Sequence, residues 1–189
     1  MRLDRSFYER TDVMGIARDL LGKVVHTRID GAHVSGLITE TEAYAGVDDR
    51  ASHAFAGRRT ERNASMYARG GTAYVYICYG IHHLFNIVTH SVGVPHAVLL
   101  RGVRILEGQA EADGRRGRPG ARTDGPGTAA QALGIRRSHD GTDLLGRRIW
   151  VADEGLAIDP RSIAIGPRIG VDYAGPDAQL PYRFRIVRQ

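Results

Sequence analysis

The stretch from Lys23 to Gly108 most constrains the fold. It is a succession of short strand-like runs: KVVHTRI, HVSGLITETEAY, TAYVYICYG, LFNIVTH and HAVLLRGVRILEG. They are rich in β-branched and aromatic residues and alternate in polarity. Asp30-Gly31 separates the first two, and Gly80 marks a turn between the third and fourth. Such links are too short for helical crossovers, so most neighbouring strands must pair as hairpins. A doubly wound parallel sheet is disfavoured, and an α+β fold is expected.

Helices fill the remainder. In TDVMGIARDLLG, residues 11–22, Val13, Met14, Ile16, Ala17, Leu20 and Leu21 recur at helical spacing, with Thr11 as the expected N-cap and Gly22 as the stop. A short helix is expected from Thr60 to Ala68, and another in TAAQALGI behind Pro126. Residues 45–59 read as loop. Residues 111–127, EADGRRGRPGARTDGPG, lack apolar periodicity and are expected to be a flexible loop. RRIWVA and YRFRIV supply further short strands. No repeat or linker divides the 189 residues, so one domain over 1–189 is expected.

Several function classes lose ground at this level. The start, MRLDRSFYER, lacks the apolar run of an export signal, and no stretch is long enough to span a membrane. The cytoplasm is the expected compartment, and the single cysteine, Cys78, reads as a buried structural thiol. His53, His82, His83, His90 and His96 match no zinc-ligand spacing, so neither a metal nor a cofactor is expected. Net charge is +5, and Lys23 is the one lysine among 26 basic residues. Arginine forks suit phosphate and stack on bases. The charge is compatible with a nucleic-acid partner but does not by itself require one.

Chemistry concentrates in ITETEAYAG. On a strand, Glu40, Glu42 and Tyr44 share a face. Two readings fit: a solvent-exposed polar face, or a general base beside a stacking ring. Asn86 and Arg101 lie within apolar runs, and a buried Arg101 would need a carboxylate, with Glu42 a candidate. Tyr74, Tyr76 and Tyr79 crowd TAYVYICYG, as either one face of a strand or a platform for a flat ring.

In register, the blocks TETEAYAG, DDRASHAF, RRTERNASMY, GTAYVYICYG, FNIV, VLLRGV, GPG with QALGI, and PRIGVDYAG resemble the alkyladenine (3-methyladenine) DNA glycosylase family, from about Asp12 to Phe184. The resemblance implies a compact α+β domain with a curved, mostly antiparallel sheet, a protruding β-hairpin and short surrounding helices. It implies a monomeric base-excision repair enzyme acting on double-stranded DNA on the bacterial nucleoid. Such an enzyme flips a damaged, alkylated or deaminated, purine out of the duplex and hydrolyses its N-glycosidic bond.

By that resemblance Glu42 is the base that activates water, and Arg101 helps hold the water and the nucleotide. Tyr44 and Tyr76 stack on the flipped base, His53 binds its edge, and Asn86 disfavours guanine. Tyr79 is the wedge that fills the gap in the duplex. Arg58, Thr60 and Met66 match DNA-contacting or pocket-edge positions. Tyr74 is assigned to structure only. Thr128 stands where the family block carries a lysine. Lys23 lies far from every pocket block, so no lyase activity is expected, and the product is an intact abasic site.

Overall fold

The computed structural model describes residues 1–120 and 122–187. Among them an eight-stranded sheet forms the body, with every strand pairing antiparallel. The strands are β1 (Val24–Ile29), β2 (Ala32–Tyr44), β3 (Ala73–Cys78), β4 (His82–Thr89), β5 (His96–Glu107), β6 (Ile149–Ala152), β7 (Ile163–Gly166) and β8 (Arg183–Ile186). Their order is β3-β4-β5-β2-β1-β6, and β8, flanked by β7, pairs with the C-terminal half of β2. The expected α+β class and curved antiparallel sheet are present.

Local chemistry explains the joints. Asp30 and Gly31 both have positive φ, at 55° and 78°, the paired left-handed turn that matches the twist of a two-residue hairpin. Helix α1 (Arg5–Tyr8) leads into α2 (Val13–Asp19). Asp12, not the expected Thr11, caps α2 by accepting from the Gly15 amide at 2.9 Å. A carboxylate reaches that amide, and Gly15 leaves it room, since a Cβ there would lie 2.5 Å from the Asp12 carboxylate. Val13, Ile16, Ala17 and Leu20 of this segment join Val25, Ile38, Phe85 and Leu100 in the core.

One expectation changes. Residues 111–127 do not form one continuous loop: α3 spans Gln109–Arg116, and α4 spans Pro126–Ala132. Helix α3 is polar nearly all round, with Ala112 alone buried, so no apolar stripe announced it. It starts and stops at left-handed glycines, Gly108 and Gly117. The part of that expectation at residue 121 lies outside the described residues. The short helix expected from Thr60 is present as a 3-10 helix, Glu61–Tyr67. Asn63 ties it down, its carbonyl accepting from the Thr60 amide at 2.7 Å and its amide donating to the carbonyls of His53 and Arg58 at 2.9 Å.

The β3–β4 hairpin protrudes. Strand β3 stops at Cys78, and Tyr79 and Gly80 form its turn with φ of 50° and 74°. Tyr79 is 91% exposed, flanked by exposed Ile77 and Ile81. Cys78 is half-buried rather than fully buried.

A second joint closes the C-terminal segment over β2. Arg168, fully buried, forms a two-pronged ion pair with Asp49 and donates to the Ala43 carbonyl at 2.9 Å. Its guanidinium lies 4.8 Å from the Tyr44 ring centroid and 5.1 Å from that of Tyr182.

Replacing Asp49 with alanine leaves the Arg168 charge buried and unpaired. The loss of stability should be about 3–5 kcal/mol by chemical denaturation; a loss below about 1 kcal/mol would mean that the pair does not hold this joint. At the hairpin tip the prediction runs the other way. A tyrosine in a left-handed conformation carries a steric cost, and its ring packs on nothing to offset it. Tyr79→Asn should therefore raise stability by about 1 kcal/mol or less, and a clear drop in midpoint would contradict this.

Candidate active site

Strand pairing assembles the site from distant segments. Tyr74 pairs with Asn86, Asn86 with Leu99, Leu99 with Glu42, and Glu42 with Arg183. Residues directly opposite each other in antiparallel strands point to the same side. One row across the sheet therefore carries Tyr74, Asn86 and Glu42 on one face. Tyr44 lies two residues from this row along β2, and Tyr76 lies two residues from it along β3 in the other direction. The two phenols thus flank the row on the same face. The opposite face of β2 turns to the core, where Thr41 donates to the Ala17 carbonyl at 2.8 Å.

Glu42 has no exposed surface. The solvent-exposed reading of the Glu40–Glu42 face is therefore overturned: Glu40 and Arg101 are buried too. Glu42 Oε1 accepts from the Ile169 amide at 2.8 Å, and Oε2 accepts from the Tyr44 hydroxyl at 2.9 Å. Arg101 Nε lies 3.4 Å from Glu42 Oε1 and 3.0 Å from Glu40 Oε1. The expected carboxylate partner of Arg101 is thus two carboxylates, with Glu40 the closer. Burial pushes the Glu42 carboxyl above the usual 4.5, against the pull of Arg101, the Ile169 amide and the Tyr44 hydroxyl. Burial also holds the Tyr44 phenol well above its ordinary range, helped by Glu42 and Tyr76, so it remains a donor.

A second group faces the hairpin. His53 Nδ1 and the Tyr74 hydroxyl share a hydrogen bond of 2.8 Å. The His53 ring meets Tyr76 edge-on, with centroids 4.6 Å apart. Burial and, behind it, the charges of Arg62 and Arg58 push the imidazole down to about 4, so it is neutral at physiological pH. Neutral imidazole has one donor and one acceptor nitrogen, and with Nδ1 engaged by Tyr74 the other, Nε2, is the one left for a further partner. Tyr74 therefore does more than fill space: it orients His53. The Asn86 amide donates to the Tyr74 carbonyl at 3.1 Å.

The outer positions divide. Arg58 and Thr60 are exposed, as are Arg59 and Arg62. Arg62 donates to the Ile77 carbonyl at 3.3 Å and lies 5.4 Å from the Tyr76 ring centroid. Met66 is corrected: it is 2% exposed and packs with Ala54, Tyr67, Tyr74 and Val88, so it supports the pocket floor and offers no surface to DNA. Thr128 caps α4, its hydroxyl accepting from the Gly125 amide at 3.1 Å.

Sequence reading missed Glu40 as a partner of Arg101, the Arg168–Asp49 pair behind Tyr44, the Ile169 amide and Tyr173. The Tyr173 hydroxyl donates to the Ala51 carbonyl at 3.0 Å, beside the site. Asp49, Arg168, Ile169 and Tyr173 all lie inside blocks that carried the resemblance, DDRASHAF and PRIGVDYAG. No cluster of three or more potential metal ligands occurs among the described residues.

A curated relative from Chlamydia felis, named "Putative 3-methyladenine DNA glycosylase", is 43% identical over 97% of this chain and 95% of its own length. Relatives of the same name from Desulfitobacterium hafniense and Anaeromyxobacter dehalogenans are 41% and 45% identical, over 98% of this chain and 95% and 84% of their own lengths. Residues 6–189 match the model of the methylpurine-DNA glycosylase family, and the chain belongs to that family of DNA repair hydrolases.

Proposed function

We propose that the chain acts as a single-domain, monomeric glycosylase that flips an alkylated or deaminated purine out of duplex DNA and hydrolyses its N-glycosidic bond with a water activated by Glu42. The observation that carries this reading is the Glu42 carboxylate. It is fully buried, touched by Arg101, and flanked on one sheet face by Tyr44 and Tyr76.

For a purine alkylated on a ring nitrogen the chemistry balances with these groups; a neutral deaminated base leaves with the same electron pair and must also take up one proton, which the hydrolysis supplies from the same water. A purine alkylated on a ring nitrogen is a cationic leaving group. Its glycosidic electron pair departs with it and makes it neutral, while positive charge builds on the sugar. The Glu42 anion stabilises that charge, as carboxylates do in glycoside hydrolysis. Water adds its oxygen to C1′ and gives its proton to Glu42. Arg101 helps hold the water and the nucleotide.

Tyr44 and Tyr76 stack on the extruded base, at about 1–3 kcal/mol per stacked base. Neutral His53 binds its edge, and Asn86 disfavours the exocyclic amino group of guanine. Tyr79, exposed at the hairpin tip with Ile77 and Ile81, enters the minor groove and occupies the space left by the flipped nucleotide. Arg58 and Thr60 contact the backbone nearby.

The product is an intact abasic site. A lyase step needs an amine nucleophile at C1′. The Lys23 amine is instead bound to Asp153 at 2.6 Å, at the start of β1. Action on chromosomal DNA in the cytoplasm fits this reading. Among the described residues no helix is long and apolar enough to cross a membrane.

Treating a hypoxanthine-containing or methylated duplex with the protein and then hot alkali tests the reading. Cleavage at the lesion is expected, and a gel shift without alkali-labile sites would indicate a binding module instead. Glu42→Gln should abolish release while leaving affinity for damaged duplex intact; unchanged release would remove Glu42 from the mechanism. The reacting form is the anion, and the Glu42 carboxyl is raised above 4.5, so single-turnover release should fall as pH drops through a midpoint above 4.5. An acid limb below that value would contradict the buried base. Tyr79→Ala should slow excision from paired duplex more than from single strands, and equal losses on both would exclude the wedge role.

A further inference from the structure

Glu40 has no place in the proposed chemistry, yet it is buried beside Glu42 and closer to Arg101 than Glu42 is. We infer that Glu40 is a positioning residue for base release: it turns the Arg101 guanidinium edge-on to both carboxylates and shares its charge, and Arg183 anchors Glu40 from the other side.

The backbone builds this arrangement. The β2–β5 register breaks at Glu40, which pairs with Gly102 while Thr41 pairs with Leu100. Arg101 is the unpaired residue between them, a bulge that aims its side chain back at β2. Gly102 makes room, since a Cβ there would lie 2.9 Å from the Thr39 hydroxyl and 3.3 Å from the Glu40 Cβ. Arg101 Nε then spans the two carboxylates, at 3.0 Å from Glu40 Oε1 and 3.4 Å from Glu42 Oε1. On the far side Arg183 Nη1 lies 3.5 Å from the same Glu40 oxygen. Charges alternate along the set as Glu42, Arg101, Glu40, Arg183.

Alternation has a chemical consequence. If Arg101 answered to Glu42 alone, its whole charge would stabilise the anion and weaken it as a base. Glu40 takes the nearer position, and its own negative charge also pushes the Glu42 carboxyl upward. A carboxylate held higher accepts a proton from water more readily. The other ionisable groups near Glu42 are Tyr44 on β2, and Arg168 and Tyr173 of the segment after β7. Glu40 is the one that competes with Glu42 for Arg101.

This inference rests on Glu42 as the base, and the experiment separates the two. Single-turnover base release is measured against pH for the wild type, Glu40→Gln, Arg183→Met and the double variant, with Glu42→Gln in parallel and the affinity of each for damaged duplex recorded. Glu40→Gln should move the acid limb down by about one pH unit and lower the plateau rate. Arg183→Met should move the limb up, because the Glu40 charge loses its outer partner. The double variant should sit where Glu40→Gln sits, because Arg183 acts through Glu40. Limbs that coincide with the wild type, or changes confined to affinity or thermal midpoint, would reduce Glu40 to a structural role and overturn the inference. Release by Glu42→Gln at the wild-type rate would instead remove the base itself. Should Glu40→Gln not fold, the Arg183→Met shift decides alone: upward supports the inference, and absent or downward overturns it.

Discussion

A carboxylate with no exposed surface remains ionised only if neighbouring groups replace the water it has lost. For Glu42 those groups are the Ile169 amide, the Tyr44 hydroxyl and the Arg101 guanidinium. They do not fully compensate for burial, because the carboxyl still sits above its ordinary value. At neutral pH the charged form therefore works against folding: a folded-state carboxyl raised above its unfolded value loses stability as pH rises through the interval between them. A site selected for stability alone would place an apolar residue here. A charge that its surroundings only partly support is what the proposed role of Glu42 as proton acceptor requires.

The rest of the architecture serves that charge. Strand β2 brings Glu40, Glu42 and Tyr44 to one face and gives its other face to the core through Thr41. Strand β5 contributes Arg101 through a bulge. The Ile169 amide arrives because Arg168, its neighbour in sequence, is locked to Asp49 and to the Ala43 carbonyl. The same guanidinium lies against the Tyr44 ring, so one buried ion pair fixes both a hydrogen bond to the carboxylate and the phenol beside it. Groups held in this way are already in place before substrate arrives.

Much of this was readable in the chain. Alternation and turn residues located the strands, and Asp30-Gly31 forms the hairpin its composition implies. Face-sharing by Glu40, Glu42 and Tyr44 followed from strand periodicity. Whether that face was wet or buried did not, because the covering groups come from far away: Arg101 is 61 residues from Glu40, and Ile169 is 127 residues from Glu42. Local pattern carries no information about such contacts. Helix α3 was hidden for a different reason. Left-handed glycines and polar side chains define it, and the same residue types write loops. Met66 sits in a block rich in arginine, and only the packing of Ala54, Tyr67 and Tyr74 around it reveals a buried support.

Strand β3 ties the proposed pocket to the proposed wedge. Tyr76 faces His53, and Tyr79 stands at the hairpin tip three positions on. At about 3.3 Å per residue that separation is roughly 10 Å, set by extended backbone rather than by a loop. A wedge carried on a mobile loop could fill a gap in the duplex without bringing the displaced base to any particular place. A wedge in the tight turn directly beyond the strand that lines the pocket cannot. Once Tyr79 occupies the gap, the distance to Tyr76 fixes where the extruded base must go. The left-handed conformation of Tyr79 belongs to the same logic. It ends the strand in a tight turn with the ring outward, at a small cost in stability. In the proposed mechanism, recognition of a base that leaves the stack readily and its delivery to the carboxylate become one mechanical event.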